Sequence, residues 1–359
     1  MMKESRLMKG NEALAEAVIR SGCDAYFGYP ITPQSEILEY LSLEAHKRTG
    51  MVVLQAESEV ASINMVYGAA GTGKRAMTSS SSPGISLMQE GISYIACAEL
   101  PCLLVNVVRG GPGLGTIQPS QGDYFQAVKG GGHGDYRMIV LAPSNVQEMV
   151  DFVRLGFDLA FKWRNPVMIL ADGALGQMME KVELFEQMQR KTNIEPWATV
   201  GKPKDRERNI ITSLHIKPDK MEEINLHLQA KYKEIEKEET RFATIDCDDA
   251  EVILTAYGLV ARICQKAAQL ARAKGIKVGV FRPKTLFPFP YDAINKLAAK
   301  ENIKGFLDVE MNAGQMVEDV RLAVNGQKKV EFHGRMGGIV PSPEEILAKI
   351  EEKFVGELV

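Results

Sequence analysis

Glu59 is the residue of this sequence best suited by its setting to share a proton. It lies in QAESEVASINMVYG, Gln55 to Gly68, where a strand-like apolar run passes into a helical run of small and apolar residues. One role for a glutamate there is electrostatic, because a carboxylate at a helix N-terminus is favoured by the helix dipole. The neighbours argue for more. A small-residue helix start packs tightly, and a desolvated carboxyl shares a proton more readily than it holds a charge. Three further stretches each follow an apolar run: YFGYPITPQSE (Tyr26 to Glu36), SSSSPGIS (Ser79 to Ser86) and RGGPGLGT (Arg109 to Thr116). Pro30 and Pro33 fix φ and push the preceding residues out of helical geometry, so Tyr29 to Pro33 is expected to be an extended elbow. Glycine in the other two loops allows the backbone to approach a ligand closely. In open α/β sheets ligands bind outside the carboxyl ends of strands, and all three loops are expected there.

Other motifs point elsewhere. GAAGTGKR, Gly68 to Arg75, has the G-x-x-x-x-G-K spacing of a phosphate loop, and on that reading the chain is an ATP-binding protein using Gly68 to Lys74. Arg75 stands where a Mg²⁺-binding hydroxyl is required, and the glycines close a helical run instead of opening one. A helix C-cap and turn is the alternative. The five cysteines, Cys23, Cys97, Cys102, Cys247 and Cys264, are scattered, with no C-x-x-C pair to suggest a local zinc, redox or iron–sulfur site. Buried free thiols are expected, and any metal centres belong to another chain.

The elements that must position these groups alternate as βα units, which implies a mainly parallel sheet. Apolar runs at 24–28, 51–55, 76–78, 103–108, 139–142 and 167–170 are separated by amphipathic, helix-length segments. From Gly201 to Arg241 charge is dense and of both signs, with an apolar helical stripe at Met221, Ile224, Leu228 and Ile235. A second series follows, with strands at 252–255 and 278–281 around a helix from Val260 to Ala273. The division is therefore 1–195, a charged linker with one helix at 196–245, and a smaller α/β domain at 246–359. Of the 359 residues 45% are hydrophobic and 25% charged, with a net charge of −3. That balance gives no footprint for nucleic acid. No apolar run reaches the roughly 18 residues that span a bilayer, and the N-terminus has no signal-like segment, so a cytoplasmic protein with no membrane partner is expected.

Taken in order, YPITP, the Glu59-to-Gly68 run, SPG and the Arg109 loop resemble the alpha subunits of 2-oxoacid:ferredoxin oxidoreductases. ILTAYGLVAR (Ile253 to Arg262) and VEMNAGQM (Val309 to Met316) extend the likeness into the second domain. RGGPGLGTIQPSQGDYFQAVKGGGHGDY, Arg109 to Tyr136, is most similar to the 3-methyl-2-oxobutanoate (2-ketoisovalerate) branch, with the 2-oxoglutarate branch as the alternative. The resemblance implies an α/β fold: a pyrimidine-type, thiamine diphosphate-binding parallel-sheet domain, then a transketolase C-terminal-like domain. It implies that Glu59 hydrogen-bonds N1′ of the aminopyrimidine, that Tyr29, Pro30, Ile31 and Ser82 contact the cofactor, and that Thr32 and Arg109 receive the substrate carboxylate. The expected reaction is oxidative decarboxylation of a 2-oxoacid to acyl-CoA and CO₂ with reduction of ferredoxin. The G-D-G motif that holds the diphosphate through Mg²⁺ has only Ala171-Asp172-Gly173 as a near match. The Mg²⁺ and the [4Fe-4S] clusters are therefore expected on partner beta and gamma subunits, with a delta subunit left open, and the chain is expected to be half an active site. A non-catalytic scaffold would keep the fold without needing Glu59. Ile117, Pro119, Tyr124 and Phe125 are expected to line an apolar pocket for the substrate's side chain, because Gly110 to Val128 contains no lysine or arginine.

Overall fold

The βα alternation builds two sheets and a small annex. A computed structural model describes residues 4–190, 192, 194–202 and 204–355. In chain order the strands are β1 (Glu4–Lys9), β2 (Ala25–Gly28), β3 (Val52–Gln55), β4 (Ala76–Ser80), β5 (Cys102–Val108), β6 (Ile139–Leu141) and β7 (Pro166–Asp172). They continue with β8 (Met179–Leu184), β9 (Phe242–Ile245), β10 (Val252–Thr255), β11 (Val278–Pro283), β12 (Thr285–Phe287), β13 (Gly305–Glu310) and β14 (Lys329–Gly334). The seven-stranded sheet runs β12-β6-β7-β5-β4-β2-β3, and the five-stranded sheet β14-β13-β10-β11-β9. Every neighbouring pair is parallel except β12 on β6 and β9 on β11. β5, CLLVNVV, is buried throughout, as a strand covered by helices on both faces must be.

Local chemistry sets where the helices start. Ser58 caps the helix Glu59–Gly71 by accepting from Ala61 N at 3.2 Å, and Asn145 caps Val146–Trp163 by accepting from Glu148 N at 2.8 Å. Pro83 sits in the first turn of Ser82–Cys97, where its missing N–H costs nothing. The helix Gly10–Arg20 buries Glu16, which accepts from Arg20 Nε at 2.5 Å, from both terminal nitrogens of Arg48 and from Tyr40. Burial opposes that charge, yet the hydrogen bonds from Arg48 and Arg20 hold the carboxyl down at about 2.

The structure departs from the sequence reading in several places, and β12, β13 and β14 are strands that reading did not include. β1 and β8 form an antiparallel two-stranded sheet that the apolar runs did not announce. Segment 196–245, expected as a linker with one helix, holds the helix Pro218–Glu239 but also contributes β9 to the second sheet. The elbow is extended only as far as Ile31. Gln34 N donates to Ile31 O at 3.0 Å and closes a turn at Thr32–Pro33, whose peptide is cis. Among the described residues no helix is long and apolar enough to cross a membrane.

Candidate active site at the strand ends

Four adjacent strands, β5-β4-β2-β3, bring the expected residues to one end of the seven-stranded sheet. Arg109 follows β5, Ser82 follows β4, the elbow Tyr29 to Pro33 follows β2, and Glu59 follows β3. The chain leaves β2 for β3 on one side and then starts again at β4 on the other. Such a reversal opens a crevice between neighbouring loops, and it falls between the elbow and the serine-rich loop.

Glu59 is 6% exposed at the first position of its helix. Among the described residues nothing hydrogen-bonds to or ion-pairs with its carboxylate. A carboxylate with no protein partner keeps all its acceptor sites for a ligand. Beside it β4 carries a run of buried hydroxyls. Ser79 donates to Gln34 Oε1 at 2.6 Å and bonds Tyr26 Oη at 2.8 Å, whereas those of Thr78, Ser80 and Ser81 have no partner. A Cβ built on Gly84 would fall 2.1 Å from Ser80 Oγ and 2.6 Å from Glu59 Oε1, so the three residues share one point in space.

Arg109 is 8% exposed, and its guanidinium bridges two loops. Nη1 donates to Thr32 O at 3.0 Å and Nη2 to Leu114 O at 3.1 Å, while Nε is buried with no partner. Thr32 is exposed and meets Arg109 through its carbonyl, not its hydroxyl. Tyr29 and Ile31 are half-buried and Pro30 is exposed. Ser82 has a second duty that sequence reasoning missed. Its hydroxyl accepts from Arg109 N at 3.1 Å and donates to Arg109 O at 3.2 Å, which fastens its helix to the Arg109 loop. Behind it Ser82 N donates to Asn106 Oδ1 at 3.2 Å and Asn106 Nδ2 to Asp123 Oδ2 at 2.8 Å. Burial raises the Asp123 carboxyl. Gln34, also missed, pins the elbow by donating from Nε2 to Tyr29 O at 3.2 Å.

The four residues expected to line an apolar pocket, Ile117, Pro119, Tyr124 and Phe125, are not brought together: Ile117 is exposed and Pro119 half-buried in the loop. Leu114 and Ile117 stand 81% and 56% exposed, and Ile117 O and the Pro33 ring both approach Gly173. Tyr124 and Phe125 do not line it. Tyr124 is fully buried and donates to Asp319 Oδ2 at 2.6 Å, and Phe125 N donates to Gln315 Oε1 at 2.8 Å. The cause is the stretch just before them, which is drawn onto strand ends of the second sheet. Gln121 Nε2 donates to Tyr257 O, its Oε1 accepts from Met311 N, and its N donates to Met311 O, each at 3.0 Å.

The phosphate-loop match dissolves in three dimensions. Gly68 and Gly71 lie inside the helix Glu59–Gly71, and Thr72 and Gly73 turn away from its C-terminus, so no helix start faces a ligand there. Asp172 of the Ala-Asp-Gly triplet is buried and caps the helix Gly173–Gln177, accepting from Ala174 N at 2.9 Å and Leu175 N at 3.1 Å. A cleft of about 560 Å³ lies elsewhere, walled by Lys129, Phe287, Phe289, Tyr291 and Asp319 among others. Among the described residues no group of three or more His, Cys, Asp or Glu could hold a metal ion.

Comparison with known proteins falls on both sheets. Residues 16–245 match the family described as pyruvate flavodoxin/ferredoxin oxidoreductase, thiamine diphosphate-binding, and residues 250–346 match pyruvate:ferredoxin oxidoreductase core domain II. The chain is 50% identical to a ketoisovalerate oxidoreductase subunit, VorB, of Methanothermobacter thermautotrophicus, covering 97% of each chain. It is 36% identical to a 2-oxoglutarate synthase subunit, KorA, of Methanocaldococcus jannaschii, covering 94% of this chain and 97% of that one. Among solved structures it matches the 2-oxoglutarate:ferredoxin oxidoreductase of Magnetococcus marinus with a TM-score of 0.83 and 28% identity, covering 98% of this chain and 65% of the longer one. A split-gene transketolase, at 12% identity and a TM-score of 0.60, shares the fold. Family match, identity and architecture agree, and the chain belongs to the 2-oxoacid:ferredoxin oxidoreductases, a thiamine diphosphate-binding enzyme family, as an alpha-type subunit.

Proposed function

We propose that this chain provides the aminopyrimidine-binding half of a thiamine diphosphate site in a 3-methyl-2-oxobutanoate:ferredoxin oxidoreductase. The reaction takes the 2-oxoacid and coenzyme A to the branched acyl-CoA and CO₂, with the electrons passing to ferredoxin. The observation that carries this reading is Glu59, buried at a strand end with no partner for its carboxylate. An aminopyrimidine fits what surrounds it: an apolar helix start and unpartnered hydroxyls on Ser80 and Ser81. When bound, the cofactor supplies a nucleophilic carbon and accommodates the electron pair left as CO₂ departs.

The chain's own residues hold and orient. Glu59 is placed to share a proton with the ring nitrogen N1′. Tyr29, Pro30 and Ile31 form the wall beside the ring. Arg109, already fixed by Thr32 O and Leu114 O, keeps its remaining terminal N–H groups for the substrate carboxylate, and the exposed Thr32 hydroxyl is the second donor. Leu114 and Ile117 then meet the branched alkyl group. The diphosphate, Mg²⁺ and iron–sulfur clusters belong to beta and gamma partners, with a delta chain as a further candidate, since this sequence has neither a G-D-G motif nor clustered cysteines. Exposed Val60 and Leu87, beside Glu59 and Gly84 in the chain, give such a partner an apolar rim to cover.

Glu59→Gln in the assembled complex tests the reading. Glutamine keeps the size and cannot take up the proton, so kcat is expected to fall on the order of 10²-fold or more while assembly and substrate KM hold. Unchanged turnover would reduce Glu59 to a helix-end residue.

A further inference from the structure

We propose that Ser80 and Gly84 are positioning residues for Glu59, selecting which carboxyl oxygen faces the cofactor ring. The proposal rests on the reading of Glu59 given above. Two helices meet here with almost no side-chain padding. A Cβ on Gly91 would come 2.6 Å from Ile63 Cγ2, and one on Gly84 would come 2.6 Å from Glu59 Oε1 and 2.9 Å from its Cγ. Glycines seven apart on the helix Ser82–Cys97 thus give a smooth face to Glu59 and Ile63, four apart on the helix Glu59–Gly71. Both spacings put the paired residues on one helix face.

Tight packing alone would explain Gly91 against an isoleucine. It does not explain why the residue laid into Gly84 is a carboxylate, nor why a hydroxyl is its neighbour. Ser80 is fully buried, and its Oγ has no hydrogen-bond partner. Unsatisfied buried hydroxyls are expensive and rare. A hydroxyl and a carboxyl packed onto the same point, each unbonded, are a small side-chain rotation from bonding one another. With Ser80 donating to one oxygen, the other is the oxygen left to share a proton with N1′. Gly84 makes this possible by leaving out the methyl group that would push the carboxyl off the hydroxyl.

The test is equilibrium binding to the assembled complex of thiamine diphosphate and of its analogue with carbon in place of N1′. Wild type is expected to prefer the natural cofactor, and Glu59→Gln to lose that preference. Ser80→Ala should lower the preference about tenfold, the scale of one hydrogen bond to a charged group, while leaving affinity for the analogue unchanged. In the Glu59→Gln background Ser80→Ala should add nothing, because it acts through the carboxyl. Gly84→Ala should lower the preference further, and if that variant does not assemble, Ser80→Ala still decides. Wild-type preference in Ser80→Ala, or an effect that adds fully to that of Glu59→Gln, would overturn the proposal. Full preference in Glu59→Gln would overturn the assignment of Glu59 itself.

Discussion

Arg109 uses one guanidinium for two purposes, and that division can be separated by substitution. Its terminal nitrogens hold the elbow and the following loop together at Thr32 O and Leu114 O, and what remains of the fork is proposed for the substrate. Lysine keeps the charge, but one ammonium cannot span both carbonyls and still present a planar pair of donors. Arg109→Lys is therefore expected to lower kcat/KM for the 2-oxoacid about 10- to 100-fold, mostly through KM. Steady-state kinetics on the complex would check this, and a wild-type KM would show that the loop holds without the fork. Single residues of this kind were only partly legible. Glu59, Thr32 and Arg109 stood out because proline, glycine and apolar runs framed them. Gln34, Ser80 and Gln121 did not, because their partners lie on other elements and no local pattern marks them.

At the scale of elements, the apolar runs of the first sheet and those at β10 and β11 declared themselves, whereas β13, buried throughout but carrying Asp308 and Glu310, did not. β9 and β12 were harder to read, each a short strand that pairs antiparallel at a sheet edge. Asp172 shows what the end of one buried strand does instead of binding metal. The triplet Ala-Asp-Gly is only a near match to the Mg²⁺ motif, and its aspartate is a helix cap that burial has pushed up to about 6, despite donors from Leu175 and Ala174. A carboxyl raised on folding is held neutral more readily in the native state than in the unfolded chain. The native state then binds more protons between about pH 4 and 6, and stability declines as pH rises through that window. Asparagine keeps the cap without the charge. Asp172→Asn should match wild type near pH 4 and be the more stable form above pH 7, by up to roughly 3 kcal/mol for a shift of about two units. Thermal midpoints across pH would check it, and parallel curves would count against a buried, ionising Asp172.

The molecule as a whole presents its chemistry at an open face, which makes substrate choice a question of what that face lacks. The loop from Gly110 to Val128 has no lysine or arginine, and its exposed apolar side chains, Leu114 and Ile117, lie beyond Arg109. Once a partner chain covers that face, a second carboxylate held there without a cation would be costly. On the reconstituted complex, kcat/KM for 3-methyl-2-oxobutanoate is expected to exceed that for 2-oxoglutarate about 100-fold. A preference for 2-oxoglutarate would mean that a partner supplies the missing cation. The two sheets, finally, are not independent bodies. β12 belongs in sequence to the second series yet completes the first sheet by pairing with β6, and Ala142 N donates to Lys284 O at 2.8 Å along the same seam. Melting should then be all-or-none: a single calorimetric endotherm, with no folded intermediate retaining only one sheet. By the same logic, a chain severed just after Ile245 would uncover the flank of β6 and leave a raw edge prone to self-association.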